Sequence, residues 1–388
     1  MKKFISMFTV AMFAVVTLAA CGGNATGDDS SNGETPKDET NGTQVKVGMM
    51  TDSGTIDDKS FNQGTWSGIE RYAQDFPSTD KKYVQPGGEA TEDYLAANDN
   101  LVTAGYEIIV APGFKFEEAI YEAQEANPNT KYILIDGAPT KEIEKDNFET
   151  IVGENTVSIY FNEQEAGFLA GIAAALETKT GKLGFIGGMP IPPVQKFGYG
   201  FLAGVAYANE NFGTSAEVLD YQYQGTFSDV PAGQTLAGGM YDKGIDVVFH
   251  AAGGVGVGVI NEAKTRAENG EEVFVIGVDV DQYADGVISD GSSVILTSAI
   301  KRIDNAAYDY IKAFAEGNFP GGETIVMDAK MGGVGLPEEN PNLAEETTTK
   351  TDEALELIKD GTIVVPSTAE ELATYLDANG YDASNINY

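Results

Sequence analysis

The chain has 388 residues, with 24 Lys and Arg against 60 Asp and Glu, and a formal net charge of -36 at pH 7. A balance this acidic repels polyanions, which argues against nucleic acid and anionic lipid headgroups as partners. The single histidine and single cysteine exclude a Cys/His metal cluster, a Cys/His catalytic dyad and an intramolecular disulfide.

Lys2-Lys3, an apolar stretch from Phe4 to Ala20 and the small residues before Cys21 have the layout of a secretory signal peptide over residues 1–20. The stretch is shorter than the ~20 residues of a usual membrane-spanning helix. Leu18-Ala19-Ala20-Cys21 followed by Gly22-Gly23 resembles the bacterial lipobox, in which the cysteine is acylated and becomes the mature N-terminus. Cys21 is therefore the expected lipid attachment to the outer face of a membrane. Residues 21–43 hold almost nothing to bury and read as a flexible tether.

From residue 44 onward, apolar runs at Val45–Met50, Glu107–Ala111, Tyr132–Asp136, Lys182–Gly187, Val247–Ala251, Val273–Asp279 and Val294–Thr297 predict strands. Between them, Phe61–Gln74, Tyr94–Ala104, Phe116–Asn127, Glu163–Thr178, Phe197–Asn211, Pro231–Lys243, Val255–Asn269 and Ile303–Gly317 carry helical spacing. The alternation predicts an α/β protein with parallel sheets covered on both faces. The body is too long for one core, and no polar hinge separates its two strand sets, so two lobes joined by several crossings are expected. Residues 44–158 with about 292–330 are assigned to the first lobe, and 159–291 with about 331–388 to the second. Ligands of open parallel sheets bind beyond the C-terminal strand ends. Thr51-Asp52, Pro112-Gly113, Asp136-Gly137, Gly188-Met189, Gly253-Gly254 and Asp279-Val280-Asp281 sit there.

No nucleophile elbow and no phosphate loop is present. Gly253 to Gly258 fails the dinucleotide spacing because Val259 stands where a third small residue is needed, leaving either a turn open to ligand or a tight strand-to-helix turn. His250 lies inside an apolar run, where a buried role outweighs a functional one. Asp57-Asp58 and Asp279 with Asp281 form no recognisable acid–base constellation, so solvated or ligand-binding carboxylates are the better reading.

Asp52-Ser53-Gly54-Thr55-Ile56-Asp57-Asp58-Lys59-Ser60-Phe61-Asn62-Gln63-Gly64, with Gly277-Val278-Asp279-Val280-Asp281-Gln282 and Thr297-Ser298-Ala299-Ile300-Lys301, resembles the basic membrane protein family of substrate-binding lipoproteins. That resemblance implies a type I periplasmic-binding fold of two Rossmann-like lobes, three crossings, and a nucleoside receptor, for purine nucleosides as in the family's best understood members, that serves an ABC permease and ATPase as a monomer. It implies no cofactor, no metal and no catalysis. By the same resemblance Phe61 and Phe227 sandwich the base, Asp136 bonds its edge and Asp52 matches a second base-contacting position, with Asp58, Asn62 and Gly113 as further ligand-binding residues. Gly253, Asp279 and Lys301 are placed at the ribose, where Lys301 either contacts hydroxyls or pairs with Asp279. A sugar receptor shares this logic, and separating the two rests on Phe61 and Phe227 pairing across one plane, with Asp136 at the far end of the site from Asp279. An exported nucleoside hydrolase is disfavoured, because no carboxylate cluster for a metal follows the first strand.

Overall fold

The computed structural model describes residues 45–52 and 54–388; the signal segment, Cys21 and the tether lie outside the described residues. Five strands and three helices alternate first: β1 (Lys46–Met50), α1 (Phe61–Asp75), β2 (Asp80–Val84), α2 (Thr91–Thr103), β3 (Ile108–Pro112), α3 (Glu117–Ala126), β4 (Lys131–Ile135) and, after a hairpin of β5 (Thr140–Glu144) and β6 (Asn147–Thr150), β7 (Thr156–Phe161). The second run is α4 (Glu163–Glu177), β8 (Lys182–Gly187), α5 (Pro192–Phe212), β9 (Glu217–Tyr223), α6 (Val230–Asp242), β10 (Val247–Ala251), α7 (Gly254–Glu268), β11 (Phe274–Asp279) and β12 (Ile295–Lys301). The chain finishes with α8 (Ile303–Ala315), β13 (Thr324–Met327), β14 (Val334–Gly335), α9 (Glu345–Lys359) and α10 (Ala369–Ala378).

Two six-stranded sheets result, ordered β13-β7-β4-β3-β1-β2 and β14-β12-β11-β10-β8-β9. Every pairing is parallel except β12 with β14. This is a two-lobed α/β fold. Strands β3 and β10 are buried at every position, because helices cover both faces of each sheet.

The chain passes between the sheets three times. Residues 161–163 leave β7 for α4, which packs on α5 of the second lobe. Residues 301–303 leave β12 for α8, which packs on α1 of the first lobe, and residues 327–334 run from β13 to β14. Backbone bonds tie the crossings together: Asn162 N–H to Met327 O at 3.2 Å and Arg302 N–H to Gly333 O at 2.8 Å. The assignment of about 292–330 to the first lobe is therefore corrected for its first third. β12 pairs in parallel with β11 and completes the second sheet; only α8 and β13 return to the first. The apolar run at 294–297 marks a strand but carries no record of its neighbour.

Helices α4 and α5 meet through glycines on both sides. A β-carbon at Gly204 would stand 2.0 Å from the Phe168 carbonyl oxygen, and one at Gly171 2.3 Å from the Phe201 oxygen. Backbone contact this close leaves no room for any side chain at these positions.

Candidate ligand-binding site

The C-terminal ends of both sheets face one cavity of about 450 Å³. Asp52, Asp58, Phe61, Asn62, Gly113, Asp136, Phe227, Gly253, Asp279 and Lys301 all line it, so every ligand-binding residue expected from the sequence is brought to one place. The two sheets contribute matching strand ends. β3 runs into Gly113 (φ 122°) and β4 into Asp136 (φ 57°), while β10 leads to Gly253 (φ 53°) and β11 ends at Asp279 (φ 66°). A left-handed backbone is unfavourable for aspartate, by about 1–3 kcal/mol where the surroundings impose it, and such strain concentrates at functional sites. Here it turns two carboxylates out of the strand direction and toward the cavity.

The loop after β1 is organised around Asp58. Its carboxylate accepts the backbone N–H groups of Ser60, Asn62 and Gln63, each at 3.0 Å, and so caps α1 from two residues before the usual position. That frees the Ser60 hydroxyl, which donates across the cleft to Asp279. Asn62 donates to Asp52 Oδ1 at 2.7 Å and to Asp58 Oδ2 at 2.9 Å, while its own oxygen accepts from the Asp52 N–H. Asp58 and Asn62 thus hold the loop in shape. Burial pushes the Asp52 carboxyl above its ordinary range, against the lowering effect of the Gly54 N–H and Asn62.

Lys301 closes the other end of the cavity. Its ammonium pairs with Asp136 across the cleft and lies 3.5 Å from Glu163. Phe61, Phe161 and Phe197 surround it, with ring centres 4.8, 5.4 and 5.9 Å away. Burial pulls this ammonium down, but Asp136, Glu163 and Asp279 together outweigh burial and hold it above the usual lysine range. Burial pushes the Asp279 carboxyl up to about 6, with Lys301 and the Ser60 hydroxyl opposing. The expected separation of Asp136 from Asp279 is corrected here: one ammonium acts on both carboxylates, because β4 and β12 end against each other across the cleft. Among the described residues Asp136 Oδ1 has no hydrogen-bond partner, which leaves a buried acceptor for a ligand.

Phe227 packs so closely on Gly188 that a β-carbon there would stand 2.3 Å from its ring. The glycine run divides its work. Gly253 and Gly254 line the cavity, whereas Gly256 makes room for the His250 ring and Gly258 for the Val230 carbonyl. His250 is fully buried in β10, and burial lowers its pKa to about 4, so it remains neutral. Ile191, Pro193, Val194 and Phe197, from the turn after β8 and the start of α5, also line the cavity and were not singled out beforehand. Their only signal was the strand end at Gly188-Met189, since apolar residues opening a helix read as core.

Residues 45–369 match the model of the PnrA-like ABC transporter substrate-binding proteins, Bmp. The chain belongs to this family. It is a binding component of an ABC transporter and not an enzyme, working outside the cytoplasm with permease and ATPase subunits as partners. Its sequence is 36% identical over 379 residues to a CD4+ T-cell-stimulating antigen of Listeria innocua, covering 94% of this chain and 99% of that one. It is 33% identical, with the same coverage, to the ABC transporter nucleoside-binding protein BmpA of Lactococcus lactis. Among solved structures, an ABC transporter solute-binding protein from Aeropyrum pernix superimposes with a TM-score of 0.72 at 28% identity, covering 88% of this chain and 98% of that one. These neighbours place the two lobes in the type I periplasmic-binding fold.

Proposed function

We propose that this Bmp-family protein is a lipid-anchored receptor for nucleosides, purine nucleosides first, which closes on its ligand and delivers it to the permease. The carrying observation is the lining of the cavity: Phe61 and Phe227 supply aromatic faces, and five aspartates stand against one lysine. Such a lining suits a neutral ligand with an aromatic ring and many N–H and O–H donors. Stacking on an aromatic ring contributes ~1–3 kcal/mol per base and tolerates different bases. Asp52 is the proposed partner of the base edge, and Asp279, Gly253 and Lys301, with Asp136 beside that ammonium, those of the ribose. A nucleotide phosphate would meet the acidic lining and be rejected. The name of the Lactococcus lactis relative supports the same ligand class.

The test is isothermal titration of residues 22–388, refolded to strip carried ligand, with adenosine, guanosine, inosine, cytidine, uridine, ribose and adenosine monophosphate. Micromolar or tighter binding of nucleosides, without a response to the monophosphate, supports the reading. Binding of ribose without a response to any nucleoside moves the protein to the sugar receptors. For the anchor we expect Cys21→Ala to shift the protein from the detergent phase to the aqueous phase on Triton X-114 partition; retention in the detergent phase refutes acylation at Cys21.

A further inference from the structure

Behind the cavity lies a buried charged group outside its lining. Glu163 opens α4 directly after the first crossing and is 1% exposed, yet it is absent from the cavity lining. One carboxylate oxygen lies 3.5 Å from the Lys301 ammonium and the other 3.3 Å from that of Lys196. Lys196, on α5, also donates at 2.9 Å to the carbonyl of Phe161, which ends β7. Lys196, Glu163, Lys301 and Asp136 thus form a chain of alternating charge that runs from a second-lobe helix, through the hinge, to a first-lobe strand.

Burying an isolated carboxylate is costly, so an extra ion pair at this depth needs a purpose that the Lys301–Asp136 pair alone does not serve. That purpose follows from the long, flexible lysine stem. A ligand that engages Lys301 or Asp136 competes with their mutual contact. Without a second counter-charge, Lys301 would then be free to follow Asp136 or to swing among its rotamers. Glu163 is fixed by the start of α4 and by Lys196, and it attracts the ammonium from the side away from the ligand. The three phenylalanine rings surround the ammonium between these two pulls.

We propose that Glu163 is a positioning residue, which holds the Lys301 ammonium at the hinge in the orientation that meets ligand, with Lys196 as its fixing partner. The inference rests on the nucleoside reading of the cavity. It is tested by a double-mutant cycle on residues 22–388: wild type, Glu163→Gln, Lys301→Met and the double variant, each titrated with adenosine, guanosine and inosine and each checked for Tm. A residue acting through Lys301 weakens binding by about tenfold when neutralised, and adds nothing once Lys301 is gone. The double variant is therefore expected to bind as Lys301→Met does. Losses that multiply in the double variant, or a Glu163→Gln protein with wild-type affinity, overturn the inference while leaving the nucleoside reading intact. A wild-type protein that binds none of the three overturns the nucleoside reading and the inference with it. Should Glu163→Gln be too unstable to titrate, Glu163→Asp, which keeps the charge but withdraws it from Lys301, takes its place in the same cycle with the same two outcomes.

Discussion

Replacing Lys301 by methionine keeps the volume of the stem and removes only the charge. Asp136 (7% exposed) then loses its ion-pair partner, while Glu163 (1% exposed) retains Lys196. Breaking a buried pair from one side costs about 3–5 kcal/mol, which at ~2 °C per kcal/mol lowers Tm by about 6–10 °C. Differential scanning calorimetry of wild type and Lys301→Met should show this Tm deficit. Adding Asp136→Asn to Lys301→Met removes the stranded charge and should recover most of it. A Lys301→Met protein as stable as wild type, or a deficit that Asp136→Asn does not reduce, refutes the view that Lys301 acts as a buried counter-charge.

The carboxyl of Asp279 is pushed up to about 6 by burial, and only its ionised form accepts hydrogen bonds at both oxygens. Nucleoside affinity should therefore fall as pH drops through about 6, and titration of Asp279→Asn across the same range should show no such step. Phe61→Ala removes one proposed stacking face and a ring beside Lys301, and should weaken nucleoside binding by ~1–3 kcal/mol with little change in Tm. Gly204→Ala places a methyl group against the Phe168 carbonyl where α4 and α5 meet; a shift of the urea midpoint corresponding to ~1–3 kcal/mol is expected, with affinity for ligand retained by the folded fraction.

Most inner strands were legible in the sequence because burial on both faces makes them continuously apolar; β7, Thr-Val-Ser-Ile-Tyr-Phe, was missed because its buried Thr156 and Ser158 interrupt the apolar run. Lys182–Gly187 and Val247–Ala251 were read to the residue. The edge strands were not. β2 reads Asp-Lys-Lys-Tyr-Val and β9 carries exposed polar residues, since an edge strand gains its place from pairing and not from burying a hydrophobic face. α9 and α10 were missed as well, being amphipathic helices in a polar terminal stretch. The site was legible through its motif and through the rule that ligands sit at strand ends, which together named Asp52, Asp58, Asn62, Asp136, Asp279 and Lys301 but not Thr55, Asp57, Ser60 or Ser228, which the cavity also collects.

By itself, the sequence determined the class of fold, most of the inner strands and the family likeness, all of which depend on local composition and short motifs. Only the tertiary structure decided which sheet received β12, that Asp58 and Asn62 hold a loop while Ser60 reaches across the cleft, and that Asp136 and Asp279 share the field of one lysine. It alone brought Glu163 and Lys196 behind Lys301. Each of these depends on groups far apart in the chain, here residues 60 and 279 or 136 and 301, that meet only when two sheets are set face to face. Hydrophobic periodicity records which side of an element is buried; it holds no record of which distant element covers it, and electrostatic pairing is decided at that second step.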